Sequence, residues 1–227
     1  MGFFDLFRED RGSLVSQAFE DVTTMVRHGH EMFAAAAAHL YDNEILDVDL
    51  IALDNDIKQR EQHLRRTVLE HLTIYPNRQL VFSLKLLSIV SEAERIGDLS
   101  RSLVKVASMC QRPRLGPHVA PLRSFRDRVL HMFEQVELGF LQENEDVARA
   151  HMLEHSLFKH DLTTYLHQLA PRTDHSPNEM MTFAMSARMM SRVSSHLANI
   201  SSAIVCPFDE LRSAPNWAEV DPPVRTE

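Results

Sequence analysis

Two cysteines, Cys110 and Cys206, are all that this chain of 227 residues carries. So few exclude a disulfide framework, a zinc-ribbon pair and a dithiol redox motif, and they fit a reducing cytoplasm. Long apolar runs are missing as well. None approaches the roughly 18 residues of a membrane span, and no signal-peptide pattern opens the chain, so the protein is not expected to cross a membrane itself. Basic charge is short: 24 Lys and Arg stand against 32 Asp and Glu, a formal charge of -8. That balance excludes generic nucleic-acid binding and suits basic partners or cations. There is no Walker loop, no Gly-x-Gly-x-x-Gly and no Gly-x-Ser-x-Gly, hence no visible machinery for nucleotide hydrolysis or acyl transfer. Glycine is scarce, at 6 residues, while Ala, Leu, Met, Glu and Arg abound, which favours helix over sheet.

What is present is helical periodicity with regular breaks. Apolar stripes predict six helices, over about 13–41, 45–73, 79–110, 122–142, 146–169 and 178–205. Leu50, Leu53, Ile57, Leu64 and Val68 mark the stripe of the second, and Leu80, Leu84, Leu87, Val90 and Ile96 that of the third. A proline-flanked stretch at 112–118 divides the chain, and three helices follow as three preceded. Arg95-Ile96-Gly97-Asp98 aligns with Arg192-Val193-Ser194-Ser195, an offset of one helical trio. The fold predicted is therefore all-α, a tandem repeat of two three-helix bundles of antiparallel neighbours. Its divisions are a hydrophobic N-terminal segment at 1–12, a first bundle at 13–111, the linker, a second bundle at 119–205 and a tail at 206–227. The Phe-rich start, Met1-Gly2-Phe3-Phe4, is expected to dock in a bundle groove or at a membrane or transporter surface. The tail, with Trp217, is expected to be loosely ordered.

The third helix holds the most informative string, Ser91-Glu92-Ala93-Glu94-Arg95-Ile96-Gly97-Asp98-Leu99-Ser100. Glu94 and Asp98 lie four apart, on one face and a turn from each other. Gly97 costs about 1 kcal/mol against Ala in a helix interior, so it asks for a close approach. If helices two and three fold back about the Pro76 turn, Asp54 and Asp98 sit at similar height, with Glu61 and Glu94 nearer the turn. Four carboxylates can converge there. Oxygen donors of this kind suit iron, manganese, magnesium or calcium, with zinc a further option. The plainer reading is a solvated acidic face, with Glu94 paired to a base such as Lys58.

The pattern Leu53-Asp54-Asn55-Asp56-Ile57 with Glu61, followed by Glu92-Ala93-Glu94-Arg95-Ile96-Gly97-Asp98, resembles the first repeat of the PhoU family of phosphate-uptake regulators. Ala187-Arg188, Arg192-Val193 and Ala198-Asn199-Ile200 resemble its second repeat. The resemblance implies two three-helix bundles and a cytoplasmic, non-enzymatic regulator that contacts a phosphate transporter subunit or a sensor kinase. It also implies metal ions held by Glu-x-x-x-Asp motifs, here at Asp54, Glu61, Glu94 and Asp98, with Glu92 a weaker candidate. The second repeat departs from the pattern: Ser191 and Ser195 replace the family's Glu and Asp, and His155 stands where an acid is expected. That asymmetry predicts one metal-competent bundle and one that is structural or recognises partners. Membrane association would come only through partners, and a homo-oligomer is compatible with the pattern.

Other readings compete. His151-Met152-Leu153-Glu154-His155 fits the inverted zincin motif, though no third ligand stands in register on helix six. His160 and His167 extend a histidine face that responds to pH. Met180, Met181, Met185, Met189 and Met190 make the sixth helix methionine-rich, either as core filling or as an adaptable partner groove. The functional expectation is control of phosphate transport or signalling by stoichiometric contact. The alternatives are a metal-buffering bundle holding iron or manganese, or an accessory protein of another phosphate or metal transporter.

Overall fold

The computed structural model describes residues 13–77, 79–110, 112–116, 118–141 and 144–212. The Phe-rich segment at 1–12 and the tail from 213 onward, Trp217 included, lie outside them. Six α-helices account for nearly all of the described chain: α1 Ser13–Tyr41, α2 Leu50–Ile74, α3 Leu80–Ala107, α4 Val119–Leu141, α5 Glu145–Leu169 and α6 Pro177–Val205. A short 3-10 turn, Phe208–Glu210, follows. Among the described residues there is no strand, and no helix is long and apolar enough to cross a membrane.

Local chemistry sets the helix ends. The second helix starts at Leu50, five residues later than its stripe predicts, because Asp49 caps it, accepting from Ile51 N at 3.1 Å and Ala52 N at 3.0 Å. Before it, Asn43 takes a left-handed φ of 59° that breaks the chain out of α1. Conversely, α4 begins at Val119, earlier than predicted, since Pro121 falls in its first turn where no helical N–H is lost. Asn144 caps α5, and α6 opens with Pro177 behind a capping box of Ser176 and Glu179. The third helix stops at Ala107 rather than running on to Cys110.

One apolar core runs through all six helices. Within the first trio α1 and α2 pack on α3, and within the second α4 and α5 pack on α6. The trios meet through α1 against α4 and α3 against α6, leaving α2 and α5 outermost. Gly29 marks a close approach: a Cβ there would lie 3.0 Å from Ile96 Cγ2 and 3.8 Å from Phe133. Arg114, in the linker, is buried and donates to four carbonyls. They are His39 O at 2.9 Å, Leu40 O at 2.5 Å, Ala107 O at 3.3 Å and Cys110 O at 3.0 Å. These carbonyls lie at the end of α1 and at or just beyond the end of α3, so one guanidinium ties the two helix ends together. Buried Lys85 does the same for α6, donating to Cys206 O at 2.7 Å.

Candidate functional site

The α2 stripe of Asp54, Lys58, Glu61 and Arg65 faces the α3 stripe of Ser91, Glu94, Asp98 and Arg101. Gly97 lets the two helices close, since a Cβ there would meet Ile57 Cδ1 at 3.2 Å and Asp54 Oδ1 at 3.7 Å. Asp54 is 3% exposed. Its Oδ2 accepts from Lys58 Nζ at 2.9 Å and from Arg101 Nη1 at 2.6 Å, while Oδ1 is buried with no hydrogen-bond partner. Lys58 also donates to Asp98 Oδ1 at 3.3 Å, and the Asp98 carboxylate is otherwise open to solvent. Glu61 accepts from Arg65, which continues to Ser91 Oγ at 2.9 Å. Glu94 sits in the field of both acids: burial, then Asp98 and Glu61, push its pKa above the usual glutamate value.

The four carboxylates that the sequence singles out therefore share one strip, but they are brought together around cations of the chain itself. Among the described residues no three His, Cys, Asp or Glu side chains are gathered as a metal ion needs. The donor set fits a metal poorly on these observations, because Lys58 stands between Asp54 and Asp98. Lys58 bridges those two acids instead of simply pairing with Glu94. Its spacing from Asp54 was a legible signal, acid then base at four residues. Arg101 carried no such signal, because it meets Asp54 only across the helix pair.

Glu92 serves a different purpose from its neighbours. Only 3% exposed, it points from α3 into the seam with α6. There Oε2 accepts from His196 Nδ1 at 2.7 Å and Asn199 Nδ2 at 2.9 Å, and Oε1 pairs with Arg212 at 2.7 Å. Burial alone would raise its pKa, but these partners together hold it below the usual value. A second imidazole–carboxylate contact, His30 Nδ1 to Glu137 Oε1 at 3.3 Å, crosses α1 and α4.

In the second trio the offset that pairs Arg95 with Arg192 carries Asp54 to His151, Lys58 to His155, Glu94 to Ser191 and Asp98 to Ser195, so His151, and not His155 as expected, stands at the place of an acid. The α5–α6 strip is thus imidazole and hydroxyl. His151, fully buried, lies 2.7 Å from Ser201 Oγ through Nδ1, and its Nε2 has no partner. His155 Nδ1 donates to Ser194 Oγ at 2.9 Å, the Ser194 hydroxyl being directed to Ser191 O. Burial pushes the two imidazoles down to about 3 and about 4, so both are neutral at neutral pH. Glu154 turns away to Arg128 Nε at 2.8 Å, so the three polar residues of the His-x-x-Glu-His string go to separate partners. On α6, Met190 is core and Met180 and Met189 pack against it, while Met181 and Met185 are exposed.

Comparison with known proteins bears on both trios. A family model described as the PhoU domain matches residues 13–107. The structure is similar to the crystal structure of PhoU from Pseudomonas aeruginosa, with a TM-score of 0.76 and 18% sequence identity, over 86% of this chain and 97% of that one. No curated protein matches the sequence. The structural likeness shows the shared helical fold across both trios, and the sequence match falls on the first.

Proposed function

Because a family model of the PhoU domain matches residues 13–107, we propose that this chain regulates phosphate transport, acting by stoichiometric contact with a phosphate transporter subunit or a phosphate-responsive sensor kinase. The observation that carries the reading is the family match over the trio that holds Asp54, Glu94 and Asp98. The chain's chemistry agrees with a binding role. Several of its buried polar groups are committed to one another: Glu92 to the α3–α6 seam, Asp54 Oδ2 to Lys58 and Arg101, His155 to Ser194. What remains accessible is contact surface, including Ile74, Tyr75, Leu80 and Val81 about the α2–α3 turn. With a transporter subunit or sensor kinase as partner, it would work at the cytoplasmic face of a membrane through that partner.

Affinity capture from the native cells, grown in high and in low phosphate, tests this. Recovery of a phosphate transporter subunit or sensor kinase that changes with phosphate supports it. Phosphate uptake and partner recovery that are both indifferent to deletion of the chain and to phosphate would overturn it. One observation favours a second reading, an accessory protein of a different phosphate or metal transporter. Leu153 and Leu157 on α5 and Met181 and Met185 on α6 are exposed, so the second trio offers its own apolar surface to a partner. Capture of such a transporter in both phosphate regimes would select that reading.

A further inference from the structure

The α2–α3 carboxylates receive almost their full complement of positive charge from within the chain. Lys58 reaches Asp54 and Asp98 at 2.9 and 3.3 Å, Arg101 reaches Asp54 at 2.6 Å, and Arg65 holds Glu61 at 2.8 Å. Three cations thus serve three of the four acids. The fourth acid, Glu94, lies beside Asp98 and Glu61 on the same strip, and burial with these acidic neighbours raises its pKa above the usual glutamate value. An ion entering the strip would have to displace the Lys58 ammonium or face it at close range, where like charges repel strongly.

We propose that the Lys58 ammonium is the resident counter-ion of this strip, taking the place between Asp54 and Asp98 that a divalent cation would occupy and making the first trio independent of metal. The arrangement is locally built. Lys58 follows Asp54 by one turn of α2, the favourable order of acid before base, and the close packing at Gly97 brings Asp98 over from α3. Removal of the ammonium uncovers a set of oxygen donors: Asp98, Glu94 and the buried Asp54, whose Oδ1 already lacks a partner. Such donors are those that Mn2+ accepts. Loss of a charge at Lys58 should therefore create a cation site that the natural chain does not offer.

Calorimetric titration with MnCl2, with thermal melts in EDTA and in excess Mn2+, compares the natural chain with Lys58→Met and Lys58→Arg. The natural chain and Lys58→Arg should bind no equivalent of Mn2+ and shift in Tm by less than about 1 °C, whereas Lys58→Met should melt lower in EDTA and regain about 5 °C or more with the ion. Binding of one equivalent by the natural chain that disappears in Asp54→Asn would overturn the proposal. So would a folded Lys58→Met that gains nothing from Mn2+. If Lys58→Met does not fold, the titration of the natural chain decides alone. The outcome is independent of which partner the chain contacts.

Discussion

The guanidinium of Arg114 lies inside the protein with its donors on four carbonyls, two at the end of α1, one at the end of α3 and one just beyond it. Truncation to alanine strands those carbonyls, so Arg114→Ala should lose about 2–4 kcal/mol in urea unfolding, and Arg114→Lys should recover less than half of it, because an ammonium cannot span the fork. Nothing in a linker reading of Arg112-Pro113-Arg114 announces this role, which exists only once the two helix ends meet. Glycines divide in the same way. Gly97→Ala meets the far end of a flexible Ile57 at 3.2 Å and gains helix propensity, so its net effect should stay within about 1 kcal/mol. Gly29→Ala presses at 3.0 Å on the branch methyl of Ile96 and should destabilise by about 1–3 kcal/mol, measured by the same unfolding. Gly97 was legible because it interrupts an acidic helix. Gly29 was not, because its reason lies on two other helices.

At the scale of an element, the α5–α6 pair holds two imidazoles whose folded values, about 3 and about 4, lie below the ordinary histidine value of 6.5. The unfolded chain therefore takes up protons first as pH falls below that value. Their contribution to stability is complete above it and is lost progressively down to the folded values. Each histidine should add a slope of up to about 1.4 kcal/mol per pH unit between pH 6 and 4, seen as a falling urea midpoint. Replacing both, His151→Gln with His155→Gln, should flatten that slope even if it lowers stability at pH 7. On α6, Met190→Ala should cost about 2–5 kcal/mol, while Met181→Ala and Met185→Ala should change unfolding by no more than about 0.5 kcal/mol. Any effect of the latter pair on partner capture is then a contact effect. The methionine run was visible in the sequence, but only the packing separates its core members from its exposed ones.

At the scale of the molecule, the two trios share one core and a seam that buries charge. Glu92 ties α3 to His196 and Asn199 of α6 and to Arg212 beyond it, and His30 with Glu137 ties α1 to α4. Such a seam couples the halves, so calorimetry should show one unfolding transition rather than two. Glu92→Ala, which leaves Arg212 and the α6 donors without their acceptor, should lower stability by about 2–3 kcal/mol. Two separate transitions in the natural chain would show that the repeat boundary, not the seam, governs cooperativity.

The sequence by itself determined the helices, the break at the linker and the strip on which Asp54, Glu61, Glu94 and Asp98 lie. Periodicity, capping residues and proline act within a few residues of chain, so they can be read locally. Three ends moved even so: those at Leu50 and Val119, where a single cap or a first-turn proline outweighed the apolar stripe, and that at Ala107, short of the expected Cys110. Lys58 and Arg65 answer Asp54 and Glu61 from one turn away, but tertiary structure alone decided the distant partners. Arg101 reaches Asp54 across 47 residues and His196 reaches Glu92 across 104. Charge compensation falls with distance in space and not along the chain, so these partners appear only when the helices pack.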